Sequence, residues 1–493
     1  MSSVGLDWTL YAPLIGGVLA TLIAWGRRTR TVAGGAPLMR LLALVIACIT
    51  ILLEAGLLSI VSDGQTSTLF GVTLAITVPA RYVLTAANVA LLCALIYGWL
   101  TADEDTERAS GDPWRIAAVC LTSTLLAGAA LSTDRLASAL LLFAAALPVS
   151  ACVFVLVGNI AAPAGDLPTS DEARAEFTGN EQTTARKLAG AFKQLALALL
   201  ATVLWIAGST LLDRYGFNLE NTGLLQFGVA LLAVGLLVRA GTMPFSAGHA
   251  DALETTPAWA ILLLGAVAPV ALVAGLLMLA PIEGGLARGA AAGWLGAVGA
   301  LLAGIRALGA IHKPAARPDT QWDAEKASAV AVVKAMTVAL AVSWAVYGLL
   351  SGSQTGAVGA VLVATNIALA VPLLVLGGRW IALIGAASLL GLPPFGGFAG
   401  TMLVAGSAAN TGGLWLGLLL LGAALVAAAW LSVVFKPVES KPDTPSITRN
   451  RLSDPLLLIA LVLVVAQLAL FVLSNSRLTP LLDWATVPWL TAP

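Results

Sequence analysis

The 493-residue sequence is poor in charge. Only 11% of its residues are Asp, Glu, Lys or Arg, and 26 basic residues balance 26 acidic ones to a formal net charge of zero. Soluble globular domains carry about 25% charged residues, so the composition argues against a soluble chain. The balanced charge also argues against the basic surface that nucleic-acid binding needs, and no nucleic acid is expected as a partner. Histidine is nearly absent: His249 and His312 lie in different loops. Cys48, Cys93, Cys120 and Cys152 all fall inside apolar runs and lack ligand-like spacing. They read as packing residues, so neither a metal nor a redox cofactor is expected. No glycine-rich loop follows a strand pattern, so no bound nucleotide is expected in this chain. No basic segment precedes the first apolar run, Trp8 to Trp25, and positive charge follows it instead, which argues against a cleavable signal peptide.

Apolar residues, by contrast, are abundant. They make up 59% of the chain, and mean hydropathy is +0.93. They come in blocks, and a block of about 20 apolar residues spans a bilayer as a helix. The apolar/polar alternation of a membrane barrel is missing. The expected fold class is therefore an all-α integral membrane bundle. About fourteen spans are expected, near 8–26, 40–61, 82–100, 114–132, 136–160, 188–211, 222–240, 257–280, 289–311, 328–350, 355–377, 380–407, 412–435 and 454–474. The further apolar piece at 69–79 is read as loop because Pro79 and Arg81 interrupt it.

Charge placement orders these spans. Twenty of the 26 basic residues fall on the odd-numbered connections and their flanks; Arg81, Arg135, Arg214, Arg288 and Arg477 fall on the opposite side, and Arg239 sits at a helix break. By the positive-inside rule the crowded side is cytoplasmic, which places both termini on the outer, periplasmic face of a cell (inner) membrane. The longest cytoplasmic connections, near 101–113, 161–187, 312–327 and 436–453, are rich in Asp, Glu, Pro and Thr and too short for a folded domain. The chain reads as one membrane domain whose other activities come from partners.

Two spans carry helix breakers. Span seven runs into Arg239-Ala-Gly-Thr-Met-Pro-Phe245, with Gly241 and Pro244; span twelve contains Gly391-Leu-Pro-Pro-Phe-Gly-Gly-Phe398, with Pro393, Pro394, Gly396 and Gly397. Proline inside a helix removes a hydrogen bond and clashes with the preceding turn. In a bilayer such breaks are confined to places buried in protein or lining a cavity. The breaks lie five spans apart. If spans 4–8 and 9–13 are repeats, each break falls on the fourth helix of its unit, and an odd-length unit is inverted in its second copy. Paired interrupted helices point to an ion or substrate path; two unrelated kinks are the plainer alternative.

Three stretches resemble one family, the antiporter-like subunits shared by respiratory complex I, membrane-bound hydrogenases and multi-subunit Na+/H+ antiporters of the Mrp type. Pro244-Phe-Ser-Ala-Gly-His-Ala-Asp-Ala-Leu-Glu-Thr-Thr-Pro257 is similar to that family's PFHxWxPDAxExxP loop, matching at Pro244, Phe245, Asp251, Ala252, Glu254 and Pro257. Gly391 to Gly400 resembles its GIPPxxGFxGK, and Ala191-Phe-Lys-Gln194 resembles its lysine-bearing start of span six. Leu147-Pro148 in span five also fits. The resemblance covers roughly 114–436, a ten-helix unit flanked by a three-helix segment, 1–113, and a loop with the last span, 437–493. It implies fourteen spans with an inverted five-helix repeat. Chain length, and the lack of a long lateral C-terminal helix, favour the short N-type subunit.

The family's chemistry is proton translocation. A proton path through lipid needs buried titratable groups, and the family places a Glu in span five, lysines in spans seven and eight, and a Lys or Glu in span twelve. Carried over one at a time, the span-five position is Phe143, the span-seven position Arg239, the span-eight position Pro269 or Val270, and the span-twelve position Thr401. One charge of four survives, as an arginine, which is effectively never deprotonated in a protein. Arg239 is read as a fixed structural charge, with a snorkelling interface Arg or a relay member as alternatives. Glu54, inside span two, is paired with a neighbouring helix or subunit, or protonated and packed, or a proton carrier. Asp134 reads as a polar boundary residue, Asp251 and Glu254 as pins of the loop after span seven, and His249 as a solvated loop residue. Lys193 and Lys334 stand near cytoplasmic helix starts, as interface anchors or entry-channel residues. Trp344 and Tyr347 are expected to pack in span ten. The resemblance implies a non-redox membrane-arm subunit of a proton-translocating NADH:quinone oxidoreductase, its own channel degenerate, with no cofactor of its own and other membrane subunits and the lipid bilayer as partners. The alternative is a subunit of a Na+/H+ antiporter, of a membrane-bound hydrogenase or of an inorganic-carbon uptake complex.

Overall fold

The structure is a computed structural model, and it describes residues 4–26, 36–69, 71–100, 112–148, 150–151, 171–215, 222–242, 245, 258–279, 292–311, 322–376, 379–435, 454–476, 481 and 483. Helices dominate. They are α1 Val4–Gly26, α2 Ala36–Ile60, α3 Val78–Leu100, α4 Asp112–Leu131, α5 Arg135–Ala144, α6 Asp171–Tyr215, α7 Thr222–Ala240 and α8 Ala258–Leu279. A π-helical turn, Ala292–Ala297, leads into α9 Val298–Ile311. Then come α10 Trp322–Leu350, α11 Gln354–Leu376, α12 Arg379–Leu389, α13 Gly397–Thr411, α14 Gly413–Phe435 and α15 Asp454–Ser476. Among the described residues, eight helices are long and apolar enough to cross a membrane, and six shorter apolar helical stretches accompany them. Each coincides with a span expected from the apolar blocks. The physical cause is common to all: lipid offers no hydrogen bonds, so an apolar run satisfies its backbone internally, as helix. The chain is a multi-pass membrane protein.

Two segments differ from expectation. The piece at 69–79 is not plain loop. Antiparallel strands β1 (Thr66–Leu69) and β2 (Val72–Ala75) form a hairpin that turns at Gly71, φ +80°. Alternating Thr, Val, Leu and Ile favour strand here. Nor do Pro79 and Arg81 interrupt a span: α3 begins at Val78, and proline in a first helical turn costs no hydrogen bond. The hairpin lies across helix ends. Ser67 donates to Asp7 of α1, and the Thr133 amide beyond α4 donates to the Thr73 carbonyl at 2.9 Å. The second difference is α6, which begins at Asp171, well inside the expected connection at 161–187. From Asp171 to Lys187 the sequence contains no proline, and Ala, Glu, Arg and Lys make up about half of it, which helps to sustain a helix beyond the apolar run.

At the centre of the bundle stands α11, buried along nearly its whole apolar length. It packs against α3, α8, α10, α12, α13 and α15. A helix apolar on all sides belongs inside a bundle. Small residues set the spacing where apolarity alone gives no helix–helix attraction. Where α9 crosses α14, a Cβ at Gly304 would stand 2.8 Å from the Gly422 carbonyl oxygen, and one at Gly422 would stand 2.4 Å from that of Ala300. Alanine at either place would force the helices apart. Trp344 and Tyr347 are buried in α10, as expected, with the Tyr347 hydroxyl 2.5 Å from Thr411 Oγ1.

Candidate functional site

The two breaks share one local design. Helix α7 ends at Ala240, and Gly241 takes φ +75°. Its amide reaches the Val238 carbonyl at 3.3 Å, while the Thr242 amide reaches Leu237 at 3.0 Å. Helix α12 ends in the same pattern: Gly391 has φ +71°, its amide reaches Ser388 at 3.1 Å, and the Leu392 amide reaches Ala387 at 3.0 Å. Both are Schellman terminations, in which a left-handed glycine lets two amides close the last helical turn. The sequence carries the signature twice at one spacing: Gly241-x-x-Pro244-Phe245 and Gly391-x-x-Pro394-Phe395. Pro244, His249, Asp251 and Glu254 lie outside the described residues.

The first break is charged. Arg239, 5% exposed, donates from Nη2 to the Leu142 carbonyl of α5 at 2.6 Å, and its Nε has no hydrogen-bond partner. The acceptor precedes Phe143, the position where the resemblance implies a Glu. The fold thus brings the span-five and span-seven positions together, but the partner is a backbone carbonyl near the end of α5. A cation is well placed there, because the last carbonyls of a helix are unpaired and carry partial negative charge. Asp134 caps the other end of α5, accepting from the Leu136 amide at 2.9 Å, and Arg135 pairs with Asp213 of α6 at 2.6 Å.

The second break is neutral. Thr401, at the lysine position, turns its hydroxyl back to the Gly397 and Phe398 carbonyls at 2.9 and 3.0 Å. The cleft between α12 and α13 is filled by amides and a hydroxyl. Ser388 Oγ lies 2.8 Å from Asn366 Oδ1 and 2.7 Å from Gln467 Oε1, Asn366 Nδ2 donates to the Ser388 carbonyl at 3.1 Å, and the Gly396 amide donates to Gln467 Oε1 at 3.2 Å. Gln467 is wholly buried and comes from α15, whose Phe471 ring also packs on Phe398. Gly397 cannot be replaced, since a Cβ there would meet the Ser388 carbonyl oxygen at 2.0 Å. Pro393 and Pro394 form the exposed outer edge of the turn. Val270, at the span-eight position, is fully buried in the apolar core.

The remaining candidates stand apart. Glu54 is fully buried between α2, α3 and α4, and its Oε2 lies at hydrogen-bond distance from Ser123 Oγ, 2.5 Å. Its partners therefore belong to neighbouring helices of the same chain. Lys193 is exposed on α6, and Lys334 is half-buried on α10. Among the described residues, Glu54, Arg239 and Lys334 are not joined to one another by any hydrogen bond or ion pair. Sequence reasoning missed Asn88, Ser123, Asn366, Ser388 and Gln467. Their signal was present as amides and hydroxyls inside apolar spans, where a polar side chain must find a helix partner.

No family model matches the chain, and no curated protein matches it by sequence. Solved structures do match in fold. A chain of the Mrp complex from Dietzia sp. DQ12-45-1b is 16% identical, with a TM-score of 0.70, over 100% of this chain and 98% of the other. A chain of the membrane-bound sulfane sulfur reductase, an archaeal respiratory membrane complex, is 16% identical with a TM-score of 0.65, over 98% of this chain and 96% of the other. A chain of respiratory complex I from Thermus thermophilus is 20% identical with a TM-score of 0.57, over 96% of this chain and 98% of the other. The chain has the fold of the antiporter-like subunits that its sequence resembles.

Proposed function

We propose that this chain is a non-redox membrane-arm subunit of a complex I-type, proton-translocating NADH:quinone oxidoreductase, and that its own central channel is degenerate. The observation that carries the reading is the similarity in fold over essentially the full length of chains from three multi-subunit membrane complexes. In this reading spans 4–8 and 9–13 are an inverted repeat within a ten-helix unit at 114–436. Both termini face the periplasm, and the subunit stands beside other multi-span subunits without a cofactor. The paired Schellman breaks support the repeat. The degenerate channel rests on chemistry. A proton station must bind and release near neutral pH, which a buried lysine can do and an arginine cannot. Here Arg239 holds a carbonyl, Thr401 bonds its own helix, and Val270 is apolar core.

Gentle solubilisation and affinity purification, with identification of the partners, tests the proposal. Several multi-span subunits together with peripheral redox subunits are expected; recovery of a stable, active monomer overturns it. Membership of a cation/proton antiporter assembly is the second reading, favoured by the higher TM-score of 0.70 against the Mrp complex. Multi-span partners without any redox subunit would establish that alternative. Reporter fusions near residues 30, 105, 175, 320 and 445 should report cytoplasm, and fusions at both termini the outside.

A further inference from the structure

Where the N-terminal three-helix segment meets the ten-helix unit lies a buried polar cluster that the proposed function does not use. Glu54 of α2, Asn88 of α3 and Ser123 of α4 are 0%, 2% and 1% exposed. By helix rise they lie roughly 9 to 15 Å in from the helix ends beneath the β-hairpin. Ser123 Oγ stands 2.5 Å from Glu54 Oε2 and 3.2 Å from Asn88 Oδ1. Glu54 Oε1 and Asn88 Nδ2 have no partner.

Burial without a cation is the main constraint on this arrangement, and the count of protons agrees with it. A serine hydroxyl carries one proton, yet two acceptor oxygens face it. With the Asn88 amide oriented as here, an ionised Glu54 leaves one of those oxygens without a donor, and a full charge is buried beside neutral partners. If Glu54 Oε2 carries a proton, it donates to Ser123 Oγ, the hydroxyl proton of Ser123 goes on to Asn88 Oδ1, and both contacts have a donor. Burying an ionised carboxylate without a paired cation is costly, and neutralisation is the usual remedy. Among the described side chains, the charged groups on the surrounding helices are engaged at the bundle's edges. Asp7 of α1 accepts from Ser67, Arg81 of α3 pairs with Asp63, and Arg115 of α4 donates to the Gly98 carbonyl. The other titratable groups near the cluster are thiols and phenols. Cys120 lies on α4 and Cys48 on α2. Cys93, Tyr82 and Tyr97 lie on α3, and Tyr11 lies on α1.

We propose that Glu54, Ser123 and Asn88 form a proton-binding site, in which Glu54 holds an exchangeable proton as a neutral carboxylic acid. The unused Glu54 Oε1 and Asn88 Nδ2 are the acceptor and donor through which a water molecule would exchange that proton. Helix α4 carries Ser123, and α3 packs along α8, so the site adjoins the ten-helix unit on two sides. It stands whether or not the chain belongs to a respiratory assembly.

Infrared difference spectroscopy on the full-length protein, purified with its membrane partners and compared with Glu54→Gln, tests the site. The variant keeps the shape of the side chain and should lose one carboxylic-acid C=O band. In wild type that band should shift down in D2O, and Ser123→Ala should move it to higher frequency by removing its hydrogen-bond acceptor. Loss of a carboxylate band in Glu54→Gln would show an ionised group and overturn the proposal; if that band moved on adding Na+, the cluster would be a metal-cation site. A carboxylic-acid band that D2O leaves unmoved would overturn exchange. If Glu54→Gln does not assemble, Ser123→Ala against wild type decides alone, because only a protonated Glu54 predicts a moved carboxylic-acid band.

Discussion

The two helix breaks start alike and end differently. At both, a glycine with positive φ closes the helix and a proline and a phenylalanine follow at the same spacing. The first is then held by a guanidinium on a backbone carbonyl of α5. The second is held by a neutral mesh of Ser388, Asn366 and Gln467, supplied by three different helices. The comparison teaches that a break in a membrane helix has two independent parts. Its backbone geometry is local and belongs to a short motif. The groups that compensate the freed polar atoms are remote, and they can be charged or neutral without altering the motif. A protein can therefore keep both breaks while the groups that support them change from charged to neutral.

The largest effect should come from attacking the shared part. Gly391→Val imposes a branched side chain on a left-handed backbone, and its Cβ would fall 2.1 Å from Thr401 Oγ1. The left-handed conformation alone costs an L-residue about 1–2 kcal/mol, and the clash adds to it. Immunoblotting of membranes should show almost no assembled protein, with partial recovery in Gly391→Val/Thr401→Ala. Equal loss in single and double variants would mean that Thr401 is not the obstacle.

Next comes the charged side of the comparison. Arg239→Ala leaves the Leu142 carbonyl without its donor in a buried place, which costs about 1.5–3 kcal/mol. Thermal unfolding should move down while the proton-to-electron ratio in sealed vesicles stays unchanged. A variant that assembles and keeps its redox rate but loses about one proton per turnover would put Arg239 in a working channel and overturn its assignment as a fixed structural charge.

On the neutral side, Gln467→Leu removes the acceptor for the Gly396 amide and a contact of Ser388. A cost of about 1–2 kcal/mol is expected, read as a lower unfolding temperature. Proteolysis should become faster at the turn after Gly391, because the last helix no longer pins it. If Gln467→Leu were as harmful as Gly391→Val, the division between local motif and remote support would fail. Smallest of all should be Asp213→Asn, which breaks the pair with Arg135 at the bundle's edge, where the Asp213 side chain is 67% exposed. Such pairs are worth about 0–1 kcal/mol, and little change in unfolding temperature is expected.

The helices are legible as apolar runs, and the breaks as glycine and proline clusters. The β-hairpin and the early start of α6 are not, because both lie in polar or mixed stretches where lipid imposes no rule. Arg239 stands out in the sequence as an isolated charge, which is enough to suggest a structural role but not to name its partner. Gln467 does not stand out at all. An amide in a run such as Val-Val-Ala-Gln-Leu-Ala-Leu carries no periodic signal, and only the packing of α15 against the α12–α13 break gives it a role.

By itself the sequence determined where the apolar helices lie and where two of them break. Those outcomes rest on backbone hydrogen bonds between residues three to five apart and on the transfer of apolar side chains into lipid, both local in the chain. The tertiary structure alone decided what the polar groups inside the bundle touch. Arg239 meets a carbonyl 97 residues away, Glu54 a hydroxyl 69 away, and Ser388 an amide 79 away. Partners at such separations are set by which helices pack together and in what register. Single glycines with no room for a Cβ control that packing, and no run of neighbouring residues encodes it.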